Sequence, residues 1–198
     1  MESLTSRLSG SVVFSSLDCD NGYWQIPLDE SAYGIFSIML PYGVFSSTRC
    51  IQGSVNGTAW FQSAMYSVFG QLIGRRLEIN INGILAHSPD FESHFQLLRE
   101  VFSLARSRRV KFALHKLQLF RTETKFCGRW YSAGQLRHDP ERIQGLLDMT
   151  KPSTASQLMQ FLCSVNWMRG CIVQYNLLVA PLQQLLTTCL SKTKRLQL

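Results

Sequence analysis

Few side chains in this chain have the type and setting for chemistry. Asp18 ends an apolar, β-prone run at residues 12–17 and opens the turn-rich stretch Asp18-Cys19-Asp20-Asn21-Gly22. An aspartate there can hold an oxygen-loving cation, but it can equally cap a turn with its own carboxylate. The four histidines, His87, His94, His115 and His138, have no nucleophile or acid at a recognisable spacing and read as surface or core residues. Six cysteines (Cys19, Cys50, Cys127, Cys163, Cys171 and Cys189) are scattered, with neither a Cys-x-x-Cys pair nor zinc-finger spacing. In a chain of this size they read as small core hydrophobes kept reduced in an intracellular compartment. The remaining chemistry is ionic: Arg99, Arg106, Arg108, Arg109, Lys111, Lys116, Arg121, Lys125, Arg129 and Arg137 crowd one stretch and suit phosphate contacts.

Charge is split along the chain. Residues 1–98 carry 4 Lys+Arg against 8 Asp+Glu, and residues 99–198 carry 16 against 5. A basic second half points to a polyanionic partner, or to arginines that solvate helix faces. With 45% hydrophobic and 17% charged residues over 198 positions, the composition is that of a chain able to bury a core. No run reaches the ~18 apolar residues of a membrane span, and the first residues do not form a signal peptide.

The elements that would position these residues can be read in outline. Strands are expected at 12–17, 23–27 and 33–40, then a helix from about 56, ended by Gly74. Asn82-Gly83, flanked by β-prone runs within 77–88, predicts a hairpin with a type I′ turn. Ser88-Pro89-Asp90 starts a helix whose apolar stripe is Phe91, Phe95, Leu98, Phe102 and Ala105. Short strands follow at 111–114 and 124–131. From Asp139-Pro140 onward the pattern is helical, with Ser153 or Thr154 capping a helix that runs to about Cys171. Strands, then alternation, then helices is the order of an α+β domain with a helical extension, divided at 1–137 and 138–198.

Several blocks, in order, carry a family resemblance from about residue 14 to 186. They are the stretch from Phe14 to Ile26, Gln52-Gly53 leading into Phe61-Gln62, Asn80-Ile81-Asn82-Gly83, Lys116-Leu117, Phe126-Cys127-Gly128, and Asp139-Pro140, Lys151-Pro152 and Asn166-Trp167 beyond. Together they resemble the reverse transcriptases of gypsy-like long-terminal-repeat retrotransposons. That likeness implies a polymerase palm, an antiparallel sheet backed by helices, with a thumb-side helical segment and most of the fingers missing. It implies that Asp18 is a catalytic, metal-binding aspartate and that the Cys19 carbonyl faces the metal. Tyr23 would lie beneath the incoming sugar, Gln52 and Gly53 would border the nucleotide, and Lys116 would belong to the nucleotide site. Phe126, Cys127 and Gly128 would form the primer grip. Mg²⁺, with Mn²⁺ as a substitute, would be the cofactor. Template–primer RNA or DNA, deoxynucleoside triphosphates and the rest of a retroelement polyprotein would be the partners.

The resemblance also exposes a loss. The family's hairpin carries an aromatic, any residue and two aspartates; here Asn80 stands for the aromatic, and Asn82 and Gly83 stand for the aspartates. The ligand charge falls from −3 to −1, so turnover should drop by many orders of magnitude while the fold persists. Of the nearby acids, Glu78 lies one strand length (~13 Å) off, and Asp20 is the better substitute. The expectation is a reverse transcriptase domain that is catalytically silent. The alternative is a non-catalytic nucleic-acid-binding module using the basic half.

Overall fold

Short apolar runs separated by turn residues build a sheet, and two runs at helical spacing build the layer behind it. The structure, a computed structural model, describes residues 2–169 and 172–195; Cys171 lies outside them. The described chain separates into two compact units, Met1–Arg137 and His138–Leu198.

The first unit opens with the short helix α1 (Glu2–Arg7) and the strand β1 (Val13–Asp18). An exposed hairpin, β2 (Ser37–Leu40) and β3 (Gly43–Ser46), and the helix α2 (Gly57–Phe69) follow. Next come the hairpin β4 (Leu77–Asn80) and β5 (Gly83–Ser88), the helix α3 (Phe91–Ser107) and the strand β6 (Gln118–Arg121). The strands β7 (Glu123–Phe126), β8 (Arg129–Ser132) and β9 (Gln135–His138) make a separate three-stranded sheet.

The central sheet has the order β4-β5-β1-β6, with every neighbour antiparallel. Strand side chains alternate between faces, so β1 serves two surfaces. Leu17 and Cys19 face α2 and α3 and pack with Phe61, Met65, Phe69, Ile84, Ala86, Leu97 and Val101 in the main core. Phe14 is on the other face, in a second cluster with Leu8, Leu85, Phe126 and Tyr131. Asp18 shares Phe14's parity and therefore opens onto this second face. An α+β palm-like layer of antiparallel sheet backed by helices is what the sequence predicts.

Several local expectations shift. Of the strands expected at 23–27 and 33–40, only Ser37–Leu40 forms, as β2; Gly22–Gln25 and Glu30–Phe36 are 3₁₀ turns. Gly22 packs so tightly against Phe61 that a Cβ there would stand 2.8 Å from the ring, and the chain turns rather than extends across α2. The helix α2 ends at Phe69, before Gly74, which instead takes a φ of +78° and donates to the Leu77 carbonyl at 2.9 Å. On α3 the buried stripe is His94, Leu97, Leu98, Val101 and Ala105; Phe91 and Phe95 lie at its exposed border. Residues 111–114 contribute one bridge, Phe112 to Cys19, before the 3₁₀ turn Leu114–Lys116. Residues 124–131 fold back on themselves as the β7–β8 hairpin.

In the second unit, Asp139 caps the helix α4 (Pro140–Leu147). Thr154 and Gln157 form a reciprocal capping box on α5 (Ala155–Asn166), which stops short of residue 171. The helix α6 (Tyr175–Arg195) packs against α5 through Leu158, Leu162 and Val179. Among the described residues, no helix is long and apolar enough to cross a membrane.

Candidate active site

Asp18 is the last residue of β1 and pairs with Gly83, the first of β5, so the hairpin turn sits directly beside its carboxylate. The turn differs from the predicted Asn-Gly type I′. Asn80 pairs with Gly83, which leaves Ile81 and Asn82 as the two central residues. Ile81 takes a φ of +54°, whereas Gly83 is not in the left-handed region. A β-branched residue at positive φ is strained. Gln62 on α2 holds it there: its Oε1 accepts from the Ile81 N–H at 2.7 Å, and its Nε2 donates to the Ile79 carbonyl at 3.3 Å. The two left-handed residues in sequence that suit a type I′ turn occur instead at Cys127 (φ +50°) and Gly128 (φ +75°), the tip of β7–β8.

Three side chains meet at the turn. Lys116 Nζ lies 3.3 Å from Asp18 Oδ1, and Asn82 Nδ2 donates to that same oxygen at 3.5 Å. The backbone locks the group together. Cys19 N–H donates to the Asn82 carbonyl and Ala113 N–H to the Asp18 carbonyl, each at 2.9 Å. Gln25 adds a clamp, its Nε2 donating to the Asp20 and Lys111 carbonyls and its Oε1 accepting from Lys111 N–H. Cys19 itself is buried, and that burial, with Asp18 alongside, pushes its thiol up to about 12, so it remains protonated.

Phe126 of the predicted primer grip also reaches this place. A Cβ built on Gly83 would touch Phe126 Cε2 and the Asn80 carbonyl at 3.5 Å, ordinary contact distances. Cys127 is exposed at the tip beyond it. Tyr23 is tied to α2, with its ring centroid 5.4 Å from that of Phe61 and its hydroxyl 2.9 Å from Thr58 Oγ1. Gln52 and Gly53 stand in the exposed loop before α2, Gly53 at a φ of +91°. Among the described residues, no hydrogen bond or ion pair joins them to the Asp18 group. Gly53 instead borders an apolar cleft of about 720 Å³ whose walls include Ile26, Pro27, Phe36 and Trp60.

The acids weighed as substitutes do not join the site. Glu78 is buried and gripped by Arg7, with Nε at 2.5 Å and Nη2 at 2.8 Å from its two oxygens. Asp20 is exposed and accepts from Asn21. Among the described residues, no three His, Cys, Asp or Glu side chains converge as a metal site. One carboxylate, already facing two N–H donors, beside a residue with no side chain does not fit a pair of magnesium ions, which need several oxygen ligands. The basic stretch also divides. Arg129 is buried and Arg137 pairs with Glu123 at 2.6 Å, while Arg99, Arg106, Arg108, Arg109, Lys111 and Arg121 are exposed.

Two structural features escaped the reading of the sequence. The Gln62 clamp belongs to a residue quoted above only as part of a motif. His94 is fully buried, with its ring nitrogens at 2.7 Å from Ser15 Oγ and 3.1 Å from Ser88 Oγ. Burial drives its pKa down to about 4, so it is a neutral core link between α3, β1 and β5. A buried serine on either strand gives no periodic signal that could have announced it.

Residues 1–131 match the family model described as reverse transcriptase (RNA-dependent DNA polymerase). The chain is 25% identical over 180 residues to the retrovirus-related Pol polyprotein from transposon opus of Drosophila melanogaster, covering 91% of this chain and 18% of that protein. It is also 25% identical over 186 residues to the transposon Tf2-3 polyprotein of Schizosaccharomyces pombe, covering 94% and 14%. The chain thus spans less than a fifth of the length of these relatives. Among solved structures it resembles a foamy viral protease-reverse transcriptase in complex with double-stranded DNA, with a TM-score of 0.82, 22% identity and coverage of 94% of this chain and 33% of the other. The same viral protein in complex with an RNA/DNA hybrid gives a TM-score of 0.77, 21% identity and coverage of 93% and 25%.

Proposed function

The chain belongs to the reverse transcriptase (RNA-dependent DNA polymerase) family, and on that premise we propose that it is a gypsy-like retrotransposon polymerase domain that no longer polymerises. Residues 1–137 are its palm and 138–198 its thumb-side helices, parts of a polyprotein like those of the transposon relatives. Free cysteines at Cys19, Cys50 and Cys163 accord with an intracellular setting.

The observation that carries this reading is the Asp18 group itself. In polymerases of this type, two metal ions activate the primer hydroxyl and neutralise the leaving group. Asp18 has the placement for that chemistry, at a strand end beside the hairpin, but Asn82 turns an N–H toward it and Gly83 offers nothing. The chain's own residues can still position: Lys116 fixes the carboxylate, Gln62 fixes the turn and Phe126 packs beneath Gly83. The test is primer extension on an RNA template, comparing this chain with Asn82→Asp/Gly83→Asp in Mg²⁺ and Mn²⁺. Extension by the revertant alone supports the reading; extension by the unmodified chain overturns it.

A second role, nucleic-acid binding without chemistry, is favoured by the exposed cations. Arg106, Arg108, Arg109 and Lys111 lead straight into the segment whose backbone bridges Cys19 and Asp20. Binding of a duplex should fall steeply with salt and be indifferent to sequence. Weak salt dependence would sink it.

A further inference from the structure

The hairpin β2–β3 stands bare on the first unit, and the apolar cleft beside it is open. We propose that a second copy of this chain covers both. Each copy seats its β2–β3 ribbon in the other's cleft, which closes a two-fold dimer.

The ribbon is unlike an ordinary surface hairpin. Among the described residues, neither strand pairs with a third, and every residue of both strands is exposed. Ile38 pairs with Phe45 on one face and Met39 with Val44 on the other, so both faces are apolar. Tyr42 at the tip packs edge-on to Phe45, with ring centroids 5.8 Å apart. A two-stranded hairpin by itself is marginal in water, and exposed edges are normally guarded by charge. Residues 31–48 hold no Asp, Glu, Lys, Arg or His. A ribbon apolar on both faces fits a slot better than a flat surface.

Such a slot adjoins it. The cleft of about 720 Å³ has Ile26, Pro27, Phe36 and Trp60 in its walls, and Phe36 is the residue before β2. Ile35, Val55 and Trp60 are exposed in or beside it. Asp29, the charged residue of the lining, already accepts from the Ser31 N–H and hydroxyl, so its carboxylate is satisfied within its own turn.

Charge and area name the occupant. Identical uncharged ribbons do not repel, and a centre rich in aromatics and Met and poor in charge has the composition of an interface core. Ribbon and cleft side chains together expose on the order of 900 Å², taking ~150 Å² for a large apolar side chain. That matches the ~800 Å² which each partner contributes to a standard stable interface. A small apolar molecule would fill the cleft and leave the ribbon bare. Because Phe36 joins ribbon to cleft wall, one two-fold rotation sets each ribbon in the other cleft, and the contact closes at two copies.

Analytical ultracentrifugation of the full chain over a concentration series tests this. The mass should rise from one chain to two and stop there. Met39→Lys, at a residue 83% exposed, and Val55→Glu, at one 98% exposed, should each melt like the wild type when all are dilute monomers. Each alone should weaken association about thirty-fold or more, the scale of a lost hot spot. Mixing the two variants should restore a dimer, since one exchange is then unmodified and the other sets the lysine against the glutamate. A wild type that stays monomeric overturns the proposal and leaves the ribbon to a different partner. So does open-ended growth of the mass, the mark of edge-to-edge strand pairing. Association indifferent to both variants, or a mixture that fails to recover, also removes it.

Discussion

Replacing Gln62 by leucine should destabilise the chain by about 2 kcal/mol, and the figure follows from two hydrogen bonds. The Gln62 amide accepts from Ile81 N–H at 2.7 Å and donates to the Ile79 carbonyl at 3.3 Å. Leucine keeps the volume and removes both partners. A buried group left without a partner costs about 1–3 kcal/mol, and a hydrogen bond open to replacement by water nearer 0.5–1.5 kcal/mol. Gln62 is half-buried, so about 1 kcal/mol for each bond is the fitting value. Ile81 adds leverage, because the clamp holds a β-branched residue at a φ of +54°. Gln62→Glu keeps the shorter bond's acceptor and loses the donor, so it should cost about half as much. Urea denaturation gives the free energies, and hydrogen exchange at the Ile81 amide reports the clamp directly by accelerating in the leucine variant. If Gln62→Leu lies within 0.5 kcal/mol of the wild type and the Ile81 amide stays protected, the turn is held by something else.

Other outcomes follow from the same geometry. His94 has its folded pKa lowered to about 4 from an ordinary 6.5. The unfolded chain therefore takes up the proton first, and stability present above pH 6.5 is lost as pH falls toward 4. The loss approaches about 3 kcal/mol and is measurable as a falling urea midpoint between pH 7.5 and 4.5. Arg7→Met strands the buried Glu78 carboxylate and should cost about 2 kcal/mol, less than the usual penalty for a broken buried pair because Arg7 is partly exposed. Adding Glu78→Gln should recover part of it in the same assay. Gly22→Ala drives a methyl to 2.8 Å from Phe61 and should lower the melting temperature by a few degrees, corresponding to about 1–3 kcal/mol of overpacking.

The fold class and the helix starts were legible where local chemistry decides. Asp139-Pro140 and Thr154 through Gln157 announce their helices and form the caps observed. Asp18 and the hairpin were legible through the order of the motifs. Tertiary contact overrode the local signal elsewhere. Tyr23 is β-prone, but the chain there turns over α2, with Gly22 and Tyr23 packed on Phe61. Asn82-Gly83 favours a type I′ turn, yet pairing of Asn80 with Gly83 moves the turn back by one residue. The aromatics on α3 promised a core face, while the histidine between them holds it, because its partner Ser15 lies on a strand 79 residues away in sequence.

The alternation along β1 bears on how such a gene ages. Leu17 and Cys19 belong to the packed layer, while Asp18 between them lies half-buried on the other face, as does Gly83 opposite. On the proposed reading, mutations at the second set of positions would erase chemistry at little cost to folding, and mutations at the first set would do the reverse. A sequence drifting without selection for catalysis, but still screened by the cell for misfolded product, would lose its carboxylates early and its core late. On the proposed reading, in which an aspartate once stood at 83, a kept Leu17 beside Gly83 would record which kind of screening ended first.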